Sequence, residues 1–174
     1  MKDKVFFFVD GGYFYRGVKR LEVENVNLKN ICEKIAGNRE IVGICYYVGE
    51  IDIHMGKDKD SKIYFRELRI KQQKFLSKLK ESGVDYKLGY FNKGGDTEKS
   101  VDMLLACDMI EKAIDNIFDV GIIITGDGDF QPAVKLIQDK LGKIILNGAF
   151  KGHFAKILMD TCTRFFFIDD KVKT

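Results

Sequence analysis

The sequence predicts an α/β fold in which helices cover a mostly parallel sheet, and three observations predict it. Short apolar, β-branched or aromatic runs alternate along the whole chain with longer segments of helical period. The most apolar runs, Ile122-Ile123-Ile124 and Phe165-Phe166-Phe167, are continuous rather than alternating, as strands covered on both faces read. The 174 residues are 45% hydrophobic and 32% charged with one proline, Pro132, the composition of a globular chain large enough for one sizeable core.

In chain order, Val5–Val9 is a short buried strand; a secretory apolar region would be longer and would end in small residues. Tyr13–Leu21 begins a short helix and a second helix covers 27–37. Ile41–Val48 is a strand rich in β-branched and aromatic residues. Gly49–Ser61 is polar and without period, a long loop before a helix over 60–82. Strand Val84–Phe91 leads to Asn92–Thr97, whose adjacent glycines mark a mobile turn. A helix over 98–115, strand Gly121–Thr125, helix 130–141, strand Lys143–Asn147, helix 152–160 and strand Arg164–Ile168 complete the alternation. With no repeat and no low-complexity segment, residues 1–174 read as a single domain. No stretch approaches the ~20 apolar residues of a membrane span. Four cysteines, at 32, 45, 107 and 162, form no CxxC and read as buried free thiols of a reducing compartment, the cytoplasm. With only His54 and His153, a histidine-based metal site is poorly supplied.

Ligands of an open parallel sheet bind at the carboxyl ends of its strands. Asp10-Gly11-Gly12 follows the first strand, and Gly126-Asp127-Gly128-Asp129-Phe130 follows the Gly121–Thr125 strand. Glycines there let the backbone turn sharply and present the flanking carboxylates. If those strands are neighbours, Asp10, Asp127 and Asp129 converge, and Asp102 joins from a helix start. Like charges gathered in a crevice are costly unless a cation neutralises them. All-oxygen donors without His or Cys point to Mg²⁺ or Mn²⁺, ions suited to phosphodiester chemistry. Each acid also has a plainer role: Asp102 as a first-turn helix residue, Asp127 or Asp129 as a helix cap. Asp108, six residues beyond Asp102, points about 240° further round the helix and is simply explained by an i,i+4 pair with Lys112.

Three segments together resemble the NYN domain family, and more narrowly its LabA-like branch, a relative of the PIN-domain nucleases. They are VFFFVDGGYFYR (5–16), KSVDMLLACDMIEKA (99–113) and GIIITGDGDFQPAVKLIQDKLGKIIL (121–146), in the family's order and within a resemblance spanning residues 3–168. It implies a PIN-like three-layer α/β/α fold and a metal-dependent ribonuclease site with Asp10, Asp102, Asp127 and Asp129 as the acidic residues. Asp108 matches a recurrent second aspartate on the same helix. Tyr13 stands where the family usually carries asparagine, and Ser100 where glycine is common.

From Lys57 to Lys80 nine basic residues face three acids, a net +6, twice the +3 of the whole chain. Phe65, Leu68, Phe75 and Leu79 fall at core-facing spacing. Lys62, Arg66 and Arg69 share another face, either a phosphate-tracking ridge or a solvated surface. Lys99 lies three residues before Asp102, within reach of a phosphate. Tyr13, Phe14 and Tyr15 are candidates to stack on a base, while Phe165-Phe166-Phe167 reads as core. Thr125 and Asn147 end strands beside the acids; Thr125 is a water-holding or backbone-satisfying hydroxyl, Asn147 a site-edge or turn residue. The leading reading is a Mg²⁺- or Mn²⁺-dependent ribonuclease acting on single-stranded RNA. The alternative is a catalytically weak nucleic-acid- or protein-binding module on the same fold. A Walker loop is absent, and Gly12 occupies the place where a haloacid-dehalogenase pattern needs its second aspartate. An exposed edge strand leaves homodimerisation open.

Overall fold

The computed structural model describes residues 2–91 and 98–173; the side chains of Ile53, Phe91, Glu98 and Lys99 lie outside that description. The strands are β1 (Lys4–Asp10), β2 (Glu40–Gly49), β3 (Asp85–Phe91), β4 (Glu98–Lys99), β5 (Val120–Ile124), β6 (Ile144–Ala149) and β7 (Arg164–Phe167). They form one sheet in the order β4-β3-β2-β1-β5-β6-β7. Every neighbouring pair is parallel except β3 and β4, where Tyr90 faces Lys99 and Phe91 faces Glu98. From β1 the chain builds outward to β3, then returns to lay β5 against the other side of β1 and builds outward again. The order reverses between β1 and β5, which is where open α/β sheets form their ligand crevice.

The helices are α1 (Gly11–Arg20), α2 (Leu28–Ala36), α3 (Lys59–Glu81), α4 (Val101–Ile114), α5 (Gln131–Leu141), α6 (Lys156–Thr161) and α7 (Asp169–Val172). Each side of the sheet has its own core. Val5, Phe7, Val9, Ile122, Ile124 and Ile44 pack with Phe14, Leu28, Ile31, Leu79 and Val172 from α1, α2, α3 and α7. Phe6, Phe8, Cys45, Ile123 and Ile145 pack with Leu105, Met109, Val134, Ile137 and Leu158 from α4, α5 and α6. Successive β1 side chains therefore feed opposite cores, and the continuous apolar run VFFFV is what a strand buried on both faces requires. The result is the expected three-layer α/β/α arrangement of the PIN-like folds.

Local signals set the helix ends. Asn27 caps α2, Asp58 and Ser61 form a reciprocal capping box on α3, and Pro132 opens α5, which Gly142 closes at φ 63°. Within 49–61 a short 3₁₀ turn, Ile53–Met55, interrupts the expected loop.

Several expectations shift. Residues 98 and 99 do not begin a helix; they pair as β4, and α4 starts at Val101. The helix expected from 152 starts at Lys156, because the chain first turns through Gly152 (φ 75°) and a bridge between Phe150 and His153. The β6 strand runs on to Ala149, so Asn147 is a buried strand residue rather than a turn residue. The short α7 was not expected. On α3, Leu76 and Leu79 are buried but Phe75 is exposed, with its ring edge-on to Tyr46 at 5.5 Å, since only the edge of the sheet lies beneath that helix. Phe75 lines a groove of about 500 Å³ with Phe14, Tyr15 and Tyr46, and none of the four candidate acids lines it. Of the four free cysteines Cys32, Cys45 and Cys162 are buried as expected, whereas Cys107 is exposed. Phe165–Phe167 is not wholly core either: β7 is an edge strand and Phe167 is exposed. Among the described residues no helix is long and apolar enough to cross a membrane. The expected Asn92–Thr97 turn and the Lys99 side chain lie outside the described residues.

A candidate acidic site at the strand-order reversal

Asp10 ends β1 and caps α1, its Oδ1 accepting the Tyr13 N–H at 2.9 Å. Its second oxygen, Oδ2, accepts the Thr125 hydroxyl at 2.9 Å. The Thr125 Oγ1 in turn accepts the Asp127 N–H at 3.2 Å, and the Asp127 carboxylate accepts the Asp129 N–H at 2.9 Å. One fully buried hydroxyl thus couples the end of β1 to the turn after β5 across the point where strand order reverses. Asn147, from β6, donates to the Ile123 and Thr125 carbonyls at 3.2 and 3.0 Å and holds that turn from the other side. Its Oδ1 is the buried side-chain oxygen without a partner among the described residues. Such an acceptor is destabilising until a water or ligand donor reaches it.

The charges of Asp10, Asp127 and Asp129 act on Asp102, and that of Asp127 acts on Asp10. Burial raises the Asp10 carboxyl above its ordinary pKa, and the charge of Asp127 adds to the rise. Asp102, in the first turn of α4, is likewise raised, first by burial and then by Asp10, Asp127 and Asp129. Arg16, on α1, opposes both shifts. Sequence reasoning assigned Arg16 no role, although it closes the first motif; its place one and a half turns after the capping aspartate was the available signal. Among the described residues, no group of three or more His, Cys, Asp or Glu side chains is arranged to hold a metal ion. The donor chemistry nevertheless suits a hard divalent cation: all four side chains are carboxylates, and Asp102 and Asp129 are exposed, which leaves room for an ion that keeps several waters.

The entry to α4 carries strain. Ser100 has φ 64°, the left-handed region where a Cβ is disfavoured, which is a physical reason for glycine being common there.

Two expected site residues have other partners. Asp108 is 2% exposed and forms ion pairs with Lys87 at 2.8 Å and with Lys112 at 3.2 Å, and it accepts a hydrogen bond from the Tyr47 hydroxyl. Burial pushes its carboxyl up, but Lys87, Tyr47 and Lys112 together outweigh burial and hold it below the ordinary value. This arrangement ties α4 to β2 and β3. Tyr13 is committed inward: its hydroxyl donates to the His153 carbonyl at 2.6 Å and accepts from the Phe150 N–H at 2.7 Å, with its ring 5.5 Å from that of Phe150. Burial pushes the phenol up to about 12. A side chain at Gly126 would collide with this ring at 2.5 Å and with the His153 carbonyl, so only glycine lets the loops after β5 and β6 touch. Lys62 and Arg66 are exposed on α3, while Arg69 pairs with Glu50 at 3.2 Å just past the end of β2.

The sequence model of the NYN domain matches residues 4–169 of the chain. Among solved structures, the crystal structure of a protein of unknown function from Vibrio parahaemolyticus is similar over 98% of this chain and 96% of that one, with 25% identity and a TM-score of 0.70. No curated protein matches the chain.

Proposed function

Because the chain belongs to the NYN domain family, whose fold is that of the PIN-like nucleases, we propose that it is a metal-dependent ribonuclease. The observation that carries the reading is the Thr125 hydroxyl that links Asp10 to the Asp127–Asp129 turn at the strand-order reversal, where burial and then neighbouring carboxylate charge raise Asp10 and Asp102. These four carboxylates would hold Mg²⁺ or Mn²⁺. A bound ion of that kind makes water a better nucleophile and offsets charge on the phosphoryl oxygens. The chain's own contribution is preorganisation. Thr125 fixes the Asp10 carboxylate, the N-cap bond to Tyr13 fixes it again, and Asn147 fixes Thr125. Arg16, whose charge acts on both Asp10 and Asp102, would be the cation that meets a phosphate there, and the exposed Lys62 and Arg66 of α3 would track the strand's backbone. Water adds to phosphorus as the bond to the 3′-oxygen breaks and that oxygen takes up a proton, leaving 5′-phosphate and 3′-hydroxyl ends. The free thiols favour a reducing, cytoplasmic setting.

The test is cleavage of a labelled single-stranded RNA by purified protein with Mn²⁺, Mg²⁺ or chelator, beside Asp129→Asn. Metal-dependent cutting that disappears in the variant is the expected result; equal cutting by parent and variant overturns the assignment. A second reading, a binding module with little turnover, is favoured by Tyr13, whose hydroxyl is spent on backbone partners where the family usually has an amide. RNA affinity with no metal-dependent cutting would select it.

A further inference from the structure

Next to the acidic loop the surface carries three phenylalanines in mutual contact. Phe154 lies in the loop after β6, and Phe165 and Phe167 are alternate residues of the edge strand β7. Their ring centroids are 5.2 Å (Phe154–Phe165), 5.6 Å (Phe154–Phe167) and 5.1 Å (Phe165–Phe167) apart. Phe154 remains 37% exposed and Phe167 40% exposed. The trio is bound to the site by direct packing on both sides of Phe154. The His153 carbonyl abuts Gly126, and a methyl group at Gly128 would stand 3.2 Å from the Ala155 Cβ and 2.8 Å from Ile157. Phe154 is therefore carried on the segment that walls the Asp127 turn, and Tyr13 anchors that segment to α1. Three exposed cations, Lys151, Lys156 and Arg164, flank the rings in sequence.

We propose that Phe154 and Phe167, braced by Phe165, form a stacking platform for unpaired bases of single-stranded RNA whose phosphodiester lies at the adjacent carboxylates. This rests on the nuclease reading for its substrate but not for its test. Aromatic rings interleaved with cations are the means by which proteins hold single strands without reading sequence, because every base offers a π face. Rings already braced against one another lose little conformational freedom when a base docks. A duplex hides its base faces and could use only the cations, so the platform selects unpaired RNA.

The test is binding in chelator, where no cleavage occurs, of a fluorescent single-stranded RNA and of the same strand with abasic sites, followed by anisotropy. Phe154→Ala and Phe167→Ala should each weaken the parent strand about tenfold or more, and Phe154→Trp should restore it. The abasic strand should bind the parent protein as weakly as the intact strand binds the alanine variants, a comparison that requires no substitution. Equal affinity for intact and abasic strands, or unchanged affinity in folded alanine variants, overturns the platform. So does sedimentation showing a dimer that Phe154→Ala disperses. Stacking-dependent binding without cleavage in Mn²⁺ would remove the nuclease reading and leave the platform standing; cleavage indifferent to Phe154 and Phe167 would do the reverse.

Discussion

Replacing Asp108 by alanine separates an anchor of α4 from a member of the acidic site. The carboxylate is 2% exposed and serves three partners from three elements. Tyr47 is wholly buried, so its hydroxyl would lose its acceptor without gaining water, at about 1–3 kcal/mol. Lys87 is 44% exposed and swings into solvent, so its ion pair contributes at most ~1 kcal/mol. Lys112 is 25% exposed and keeps its place over the Phe6 ring at 5.0 Å, which limits the loss there. Together these give about 3 kcal/mol. At roughly 2–4 °C per kcal/mol for a chain of this size, Tm should fall by about 6–12 °C. Asp108→Asn keeps an acceptor for Tyr47 and should lose about half as much. Differential scanning calorimetry of parent and both variants reads the effect. An Asp108→Ala protein that melts within about 2 °C of the parent would refute the anchoring argument, and loss of RNA cleavage at unchanged Tm would move Asp108 into the acidic site.

Asp10→Asn retains the N-cap oxygen for Tyr13 while removing a charge that burial disfavours, so at pH 7 it should stabilise the fold, on the order of 1 kcal/mol, while abolishing cleavage. A lower Tm than the parent's counts against it. The pH dependence has a definite sign. Asp10 and Asp102, raised in the fold, make ionisation costly, so their penalty fades as pH falls through their folded pKa towards the unfolded value near ~3.9. Asp108, lowered in the fold, contributes stability present above that unfolded value and lost as pH falls through its folded pKa. The Tm advantage of Asp10→Asn should therefore shrink on acidification from pH 7, and an advantage that grows instead contradicts the raised Asp10. Tyr13→Asn, although it restores the residue usual in the family, empties the space between Phe150 and Gly126 and orphans the Phe150 N–H; urea titration should show a loss of about 2–4 kcal/mol. Ser100→Gly relieves the φ of 64° and should raise stability by about 1 kcal/mol in the same titration, where a decrease would mean that the hydroxyl has an unrecognised partner.

Much of the layer plan was legible because periodicity is local. The β-branched and aromatic runs around Phe7, Ile44 and Ile123 announce buried strands, and their alternation with helical segments announces a parallel sheet whatever the strand order. Asp10 and the Asp127–Asp129 turn were legible because glycine punctuates a strand end in both places. What the sequence could not determine was which strands are neighbours. The continuous apolar run Phe165–Phe167 looks like Ile122–Ile124, yet β5 is sandwiched between β1 and β6 while β7 has a neighbour on one side only, so one run is buried and the other half-presented to solvent. Asn147 looked like a strand end because the apolar pattern stops there, but pairing with β5 and β7 carries the strand two residues further. Asp108 had a visible partner in Lys112 one turn away, while Tyr47 and Lys87, 61 and 21 residues distant, are brought to it by the β2–β3 pairing alone. Tyr13 followed the same rule: its helix was evident, and the loop it meets was not. Residue pattern along the chain determined the elements and the acids at their ends; strand order and register, set by hydrogen bonds between distant segments, decided that Thr125 links Asp10 to the Asp127 turn and that Asp108 anchors the frame around them.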